Sequence, residues 1–306
     1  MALDVSQRRA LLSLCLVSKR HAGLQRRMAR PAVSFGRRLR LASRQSHYSL
    51  AFIDSKHVSQ HLDCPLGNFS ITTMTHLTGV ERAAYVQNMF ARIAGKYDLM
   101  NRLMTGGQDI RWRKILLQAA AVPRGGKLLD LGTGTGDIAA QALQNDPTLL
   151  SVGGDFTLEM MRVGKADPAR QAVRFAGTDA LNLPFPEDTF DAVTSGYLMR
   201  NVIDVRRAWA EQYRVLKPGG RVVCLDTTPP PKNLLWPFIN FHLHVVIPTL
   251  GRLIAGNSDA YTYLPDSTEN FLPAEKLAKR MAEAGFKDVN FQRLMFGTMA
   301  IHWGTK

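Results

Sequence analysis

The segment Leu128–Asp137 combines the residue types that a nucleotide-binding turn requires. Its sequence, LLDLGTGTGD, is an apolar run that ends in an acid and continues into glycine alternating with threonine. Helix formers follow at once, so the pattern predicts a buried strand, a tight turn and the start of a helix. Glycine lets a ligand lie against bare backbone, and the first N–H groups of a helix have no intrahelical partner. The segment therefore predicts a backbone-lined site for a nucleotide-like ligand.

The spacing of the glycines excludes two familiar motifs. A dinucleotide fingerprint needs G-x-G-x-x-G, and its third glycine would have to fall at Asp137 or Ala139. A P-loop needs Gly-Lys followed by Ser or Thr, which this segment does not contain. The remaining pattern, acid-x-G-x-G-x-G, resembles that of S-adenosylmethionine-dependent methyltransferases. The alternative is an ordinary glycine-rich turn.

Carboxylates recur at the ends of the strands that follow. Asp155 ends a short strand about 20 residues after the loop, where doubly wound sheets place an acid that accepts hydrogen bonds from ribose hydroxyls. Asp179 lies in a third predicted strand, Phe175–Ala180, and is suited to accept from an adenine amino group. A fourth strand, Phe190–Gly196, opens onto the same edge, where ligands of such sheets bind. Singly, each acid is also compatible with a solvated loop or a helix cap.

Length and composition agree with one large α/β domain and an appendage. The chain has 306 residues, of which 45% are hydrophobic, enough for a substantial core. Its three cysteines are scattered, with no C-x-x-C and no His/Cys cluster at metal spacing. We therefore expect a reduced compartment, no disulfide framework and no metal site.

Most of the basic excess lies in residues 1–80. The chain carries a net charge of +14, of which +9 falls in residues 1–80 and +5 in residues 81–306. The first stretch is rich in Arg, Ser and Leu, which is typical of transit peptides. A disordered basic tail and translation upstream of the true start are the alternatives. We predict a leader over 1–80, a folded domain over 81–306 and no nucleic-acid partner.

Helical apolar spacing precedes the first strand in the stretches 86–94, 96–104 and 111–117. These helices form either a cap packed on the sheet or a lid over the cofactor. In the second case Tyr97, Asp98 and Asn101 face the cofactor.

Longer motifs identify a family. The chain contains FxxIAxxYDxxN from Phe90, MRNV from Met199, YRVLKPGGR from Tyr213 and AIH from Ala300. Together they closely resemble the ubiquinone/menaquinone biosynthesis C-methyltransferases, from about residue 84 to the C-terminus. The resemblance implies an α/β, Rossmann-like class I methyltransferase fold: a seven-stranded, mostly parallel sheet with a C-terminal antiparallel hairpin and an N-terminal helical lid.

The resemblance also implies S-adenosyl-L-methionine as the cofactor. A serine that usually contacts the cofactor falls on Gly196, with Ser195 beside it. A second departure is Leu225–Thr228, where relatives typically carry Glu-Phe-Ser. With the loop residues, the predicted cofactor-binding set is Asp130, Gly132, Gly134, Thr135, Gly136, Asp155, Asp179, Ala180, Ser195 and Gly196.

The implied reaction is C-methylation of demethylmenaquinol or a related polyprenyl hydroquinone. Arg200 and Asn201 follow the fourth strand and are predicted to polarise the phenolate, with Tyr97 as a proton-relay candidate. For Arg200 the alternative is a structural salt bridge, for example to an acid of the lid. No general base is evident. Two other functions stay open: methylation of another small phenolic or lipid substrate, and an inactive scaffold subunit of a quinone-synthesis complex.

The segment Leu234–Leu250 is apolar and nearly long enough to span a bilayer. Its prolines and histidines argue against a span, so we predict helices that cover the active site and receive an isoprenoid tail. Core packing or a homodimer face is the alternative. Beyond this segment, Tyr261–Ser267 resembles the family's substrate-side loop. We expect peripheral membrane contact.

The short link Asn145–Ser151 resembles that of the compact bacterial members of the family, so a bacterial cytoplasm is favoured over a mitochondrial matrix.

Overall fold

The computed structural model describes residues 79–230, 232–255 and 259–306, and its central feature is one seven-stranded sheet. In chain order the strands are β1 Lys127–Leu131, β2 Leu150–Asp155, β3 Arg174–Gly177, β4 Phe190–Gly196, β5 Leu216–Thr227, β6 Lys287–Leu294 and β7 Met299–Thr305. They lie in the order β3-β2-β1-β4-β5-β7-β6. Strands β1 to β5 are parallel, and β7 is antiparallel to β5 and β6. The predicted sheet and its C-terminal hairpin are confirmed.

The described helices connect the strands and cover the carboxyl edge of the sheet. They are α1 Gly79–Ile93, α2 Tyr97–Met104, α3 Gln108–Ala120, α4 Asp137–Asn145, α5 Leu158–Ala166, α6 Val205–Val215, α7 Trp236–Phe241, α8 Ile247–Leu250, α9 Asp259–Glu269 and α10 Ala274–Glu283. A 3₁₀ turn, Ala94–Lys96, joins α1 to α2. Two π-helical segments, His242–Val246 and Gly251–Ala255, flank α8.

Alternate residues of the central strands pack into different core clusters. Leu129 of β1 lies in a buried cluster with Trp209 of α6, whereas Leu128 packs with Leu116 of α3. Successive side chains of a strand point to opposite faces, so α6 and α3 cover opposite faces of the sheet. All four side chains are fully buried, and burying each one fully stabilises the fold by about 1.5–3 kcal/mol.

The glycine turn between β1 and α4 has the conformation that its sequence predicts. Gly132 and Gly136 adopt φ values of +63° and +92°, in the left-handed region that favours glycine. A Cβ atom on Gly136 would lie 2.7 Å from the ring of Phe175. The turn therefore excludes a side chain for reasons of both conformation and space.

Three boundaries differ from the predictions. Strand β3 ends at Gly177, so Asp179 lies two residues beyond it, in an isolated bridge with Asn182. The stretch Tyr261–Ser267, expected as a substrate-side loop, belongs to α9, which accommodates Pro265. The predicted domain start at residue 81 falls inside α1. Residues 1–78 of the predicted leader lie outside the described residues.

Candidate active site

A cavity of about 270 Å³ lies at the carboxyl edge of the sheet, bounded by the glycine turn and the ends of the central strands. Helix α1 closes it from one side and contributes Val86 and Phe90 to its lining. Eight predicted site residues line it: Tyr97, Gly132, Gly134, Asp155, Asp179, Ala180, Gly196 and Asn201. We call this space the cofactor cavity, since it collects most of the predicted cofactor contacts.

Four predicted cofactor residues do not line the cofactor cavity. Asp130 is fully buried beneath the turn, where it accepts hydrogen bonds from the hydroxyls of Thr133 at 2.6 Å and Thr194 at 2.8 Å. Ser195 of β4 is also fully buried. Like Thr135 and Gly136 of the turn, these two residues are absent from the lining of the cavity.

Asp155 holds the turn in place as well as facing the cavity. One carboxylate oxygen accepts from the backbone N–H of Gly134 at 2.7 Å, and the other accepts from that of Thr157 at 2.7 Å. Burial raises the pKa of Asp155, although these backbone hydrogen bonds act against it. An ionised carboxylate has about four acceptor positions, so it retains capacity for two ligand hydroxyls.

A charged cluster joins the lid helix α2 to the glycine turn. Asp98 accepts a hydrogen bond from Thr135 Oγ1 at 2.7 Å and pairs with Arg170 at 2.7 Å. Arg170 also pairs with Asp137 at the start of α4, and Asp137 in turn pairs with Arg113 of α3. Asp98 therefore fastens α2 to the turn, whereas the sequence predicted that it would face the cofactor.

A second cavity, of about 380 Å³, lies next to the first and is largely apolar. Its lining includes Ile239, Leu243 and Ile247, which are buried at a spacing of four residues on the helical segment that begins at α7. The same segment exposes Phe238 and Leu234 to solvent, the latter at 92%. The predicted apolar segment thus covers a cavity, and we call this space the apolar cavity.

Tyr197 is the residue that lines both cavities. It follows β4 with a φ of +61°, in the left-handed region, which is strained for a bulky side chain. Burial raises the pKa of its hydroxyl above the usual value, so the hydroxyl is neutral near pH 7. Spacing in the sequence could not reveal a positive φ at a non-glycine residue, so sequence reasoning missed Tyr197.

Arg200 lies in the wall of the apolar cavity and is paired inside the protein. Its Nη1 is 2.7 Å from Asp226 Oδ1, and both side chains are at most 5% exposed. Its guanidinium carbon lies 5.2 Å from the centre of the Tyr197 ring, within cation–π distance. Burial acts to lower the pKa of Arg200, but Asp226 together with Tyr97 and Tyr263 outweighs it, so the net pKa is raised. The partner is an acid of the sheet, in β5, and not an acid of the lid.

Asn201 and Tyr97 lie on the cofactor side. Asn201 donates to the carbonyl of Tyr197 at 2.8 Å and accepts from the hydroxyl of Tyr263 at 3.1 Å. It therefore holds the strained backbone of Tyr197 in place. Tyr97 lines the cofactor cavity, and burial raises the pKa of its hydroxyl. The structure brings Tyr97 and Asn201 to one cavity and Arg200 to the other.

The histidines of the apolar segment have protein partners. His242 Nε2 lies 3.2 Å from the carbonyl of Met104, and His244 Nε2 lies 2.8 Å from Glu269. Within the described ranges, no cluster of His, Cys, Asp and Glu side chains is arranged to hold a metal ion. None of the helices in that part of the chain combines the length and the hydrophobicity that a membrane span requires.

Comparison with solved structures shows the fold. A SAM-dependent methyltransferase from Thermotoga maritima superposes with a TM-score of 0.51 at 18% identity, covering 72% of this chain and 99% of that one. At this identity the likeness concerns architecture alone.

Comparison with known sequences shows the family. Ubiquinone/menaquinone biosynthesis C-methyltransferase UbiE of Desulfotalea psychrophila is 52% identical over 72% of this chain and 90% of its own length. Demethylmenaquinone methyltransferase of Thermus thermophilus is 44% identical over 71% of this chain and 100% of its own length. Residues 78–306 match a family description that agrees with the resemblance predicted from the motifs. The chain belongs to the ubiE/COQ5 methyltransferase family.

Proposed function

We propose that this protein transfers a methyl group from S-adenosyl-L-methionine to a ring carbon of demethylmenaquinol or a related polyprenyl hydroquinone, in menaquinone or ubiquinone biosynthesis. One observation carries the proposal: two cavities of different character meet at Tyr197. One holds the predicted cofactor contacts, and the other is apolar with a charged arginine in its wall. This arrangement suits a polar methyl donor beside an apolar, oxygen-bearing acceptor. The family to which the chain belongs and the names of its relatives support the same reaction.

The residues around the cofactor cavity fit S-adenosyl-L-methionine. Gly132 and Gly134 expose backbone there, because neither has a Cβ atom to fill the space. Asp155 and Asp179 offer carboxylates for ribose hydroxyls and the adenine amino group. Phe156, half exposed in the lining, offers an apolar face for the adenine ring. When bound, this cofactor supplies an electrophilic methyl group.

The apolar cavity suits the ring and the first part of an isoprenoid tail. Trp112, Met104 and Leu243 give it walls without charge. Its mouth lies among exposed apolar side chains, including Phe238 and Phe296 at 74% and 71% exposure. The remainder of a long tail would leave the protein here, among side chains that tolerate lipid.

Arg200 activates the acceptor ring in this proposal. Loss of a phenolic proton pushes electron density onto the adjacent ring carbon, and a fixed cation stabilises the phenolate that this requires. Asp226 holds the guanidinium in position and keeps it charged, so Arg200 acts as an electrostatic stabiliser and not as a base. The ring proton leaves after the new carbon–carbon bond has formed, which restores aromaticity.

Tyr97 and Asn201 position the reactants. Asn201 fixes the Tyr197 backbone between the two cavities, which sets the separation of donor and acceptor. Tyr97 keeps its proton near neutral pH and is the candidate to relay the phenolic proton outwards. No carboxylate of the described residues lines the apolar cavity, so we assign the final proton acceptor to solvent.

Transfer of a radiolabelled methyl group tests the function. Demethylmenaquinol and demethoxyubiquinol-type analogues, each with a short tail, would be offered side by side under reducing conditions with labelled S-adenosyl-L-methionine. We expect carbon-methylated product from at least one of them. Label transfer to neither, with normal binding of S-adenosylhomocysteine, would contradict the function and favour a scaffold role or a different acceptor.

The protein works, in this proposal, at the cytoplasmic face of a bacterial membrane. The relatives described above are bacterial, and the exposed apolar side chains surround the mouth of the apolar cavity. Lys232 and Arg252 lie at either end of the same segment and are exposed, which suits an anionic lipid surface. A second copy of the chain is the other occupant that this face would accept.

A further inference from the structure

Three buried polar groups in the wall of the apolar cavity have no hydrogen-bond partner within the described residues. They are Nε of Arg200 and the hydroxyls of Thr227 and Thr268. The three residues are 6%, 9% and 1% exposed. A buried hydroxyl without a partner is costly, and such groups in native structures call for an explanation.

The hydroxyl groups of the residues next to Thr268 and Thr227 do have hydrogen-bond partners within the protein. Ser267, one residue before Thr268 on α9, donates to the carbonyl of Leu264 at 3.0 Å, as helical hydroxyls usually do. Thr228, one residue after Thr227, accepts from the backbone N–H of Ala274 at 3.0 Å. In each pair, Thr268 and Thr227 are the members that line the apolar cavity and whose hydroxyls have no partner among the described residues.

The two threonines reach the cavity from different elements. Thr227 ends β5, directly after the Asp226 that anchors Arg200, and its backbone N–H donates to Asp226 at 2.8 Å. Thr268 lies near the end of α9, which also contributes Leu264 to the lining. One threonine is therefore positioned by the sheet and the other by a helix, and both belong to the wall of a cavity that is largely apolar.

We infer that Thr227 and Thr268 bind the second oxygen of a para-dihydroxy ring, while Arg200 binds the oxygen beside the methylated carbon. The inference rests on the proposed function and adds a basis for specificity. A site built to hydrogen-bond a hydroxyl strongly disfavours an analogue that lacks it, because the site's own polar groups stay unpaired. The cavity thus selects dihydroxy rings over monophenols of the same shape.

Two matched substrates test this selection. One is 2-prenyl-1,4-dihydroxynaphthalene, and the other is 3-prenyl-1-naphthol, which keeps only the hydroxyl next to the reacting carbon. We expect the protein to prefer the dihydroxy compound by about 10- to 100-fold in kcat/KM. Thr227→Val and Thr268→Val should each raise KM for it by about 5- to 20-fold, lower KM for the naphthol because no hydroxyl is then left unpaired, and together abolish the preference.

Thermal stability separates a ligand-binding hydroxyl from a structural one. Removing an unpaired buried hydroxyl should raise Tm, by about 2–4 °C for each of the two variants. Thr298→Val is the matched control, since Thr298 lines the same cavity but its hydroxyl donates to Met295 at 2.8 Å. We expect this control to lower Tm and to keep the preference between the two substrates.

Binding distinguishes failure of the inference from failure of the proposed function. Calorimetry with reduced 2-methyl-1,4-dihydroxynaphthalene and with 3-methyl-1-naphthol, in the presence of S-adenosylhomocysteine, needs no turnover. Threonine-dependent preference in binding without methyl transfer would sustain the inference and contradict the function. Equal affinity of the wild-type protein for both compounds would overturn the inference. So would an equal loss of affinity for both compounds in the valine variants.

Discussion

The ion pair of Arg200 and Asp226 is buried in the structure, and the proposed function also assigns Arg200 to catalysis; the two roles predict different responses to mutation. Arg200→Ala leaves Asp226 buried without its partner, which costs about 3–5 kcal/mol in the free energy of unfolding. Arg200→Ala with Asp226→Asn should recover most of that stability. Turnover should stay at least about 100-fold below wild type in both variants, because the phenolate has lost its cation.

Chemical denaturation and methyl-transfer kinetics measure these two effects separately. Affinity for S-adenosylhomocysteine, measured by calorimetry, should change little in the double variant, since Arg200 lines the apolar cavity and not the cofactor cavity. Recovery of turnover together with stability would mean that Arg200 is structural and that the catalytic assignment is wrong.

Asp130 should make stability depend on pH. Its burial raises its pKa from 3.8 to about 7, even though two threonine hydroxyls donate to it. The folded-state pKa lies above the unfolded value, so its contribution to stability is fully present below about pH 4 and is lost as the pH rises through 7. The total change is up to about 4 kcal/mol.

Comparison of wild type with Asp130→Asn isolates that contribution, because other titrating groups cancel in the difference. The difference in unfolding free energy should fall between pH 4 and pH 7 and then level off. Urea denaturation at several pH values measures it. A difference that is constant across this range would show that Asp130 stays ionised beneath the turn.

At the scale of elements, the bond between Asp98 and Thr135 connects the lid to the cofactor turn. Asp98→Ala should weaken binding of S-adenosylhomocysteine by about 5- to 30-fold, because α2 then holds Tyr97 less firmly over the cavity. A double-mutant cycle with Thr135→Val should give a coupling energy of about 0.5–3 kcal/mol. Arg162→Ala, which breaks an exposed pair with Glu159, is the control. Additive effects in the cycle would show that the lid is held by other contacts.

The sequence was sufficient to predict those elements whose local chemistry and tertiary position agree. The glycine turn, β4 and the C-terminal hairpin were predicted, and the family and fold are confirmed, because spacing and turn residues point to one conformation. Asp130 and Ser195 were assigned to the cofactor, but both are fully buried and neither lines the cofactor cavity. Motif membership does not reveal which side chains at the end of a strand reach such a cavity.

Other elements depend on tertiary contacts that sequence patterns do not show. The stretch Tyr261–Ser267 was expected as a loop from the family resemblance, but it is helical, and the Tyr263 hydroxyl donates to Asn201. The π-helical segments around α8 and the positive φ of Tyr197 have no periodic signature. These are the features that shape the apolar cavity, so its form became evident only in the structure.

For the whole molecule, we expect α1 to be the first element that the active protein needs. The side chain of Arg82 donates to the backbone carbonyl of Arg200 at 2.9 Å, and that of Gln87 donates to the backbone carbonyl of Phe156 at 2.9 Å. Helix α1 is therefore hydrogen-bonded to residues that line each of the two cavities. A chain that begins at Leu77 should keep its Tm and turnover, because α1 starts at Gly79. A chain that begins at Ala94 should lose cofactor binding. Loss of activity in the longer of the two chains would show that residues before α1 belong to the domain.

The exposed face around the apolar cavity should bind anionic membranes. Sedimentation with vesicles containing phosphatidylglycerol should pull down the protein, and about 0.5 M salt should release most of it by screening Lys232 and Arg252. Leu234→Ser with Phe238→Ser should weaken binding at least about tenfold, since both side chains are largely exposed and available to lipid. Val163→Ser on α5, 37% exposed, is the control for a general loss of surface hydrophobicity. Equal binding by the control and the double variant, or a dimer that forms through this face in vesicle-free buffer, would contradict membrane docking.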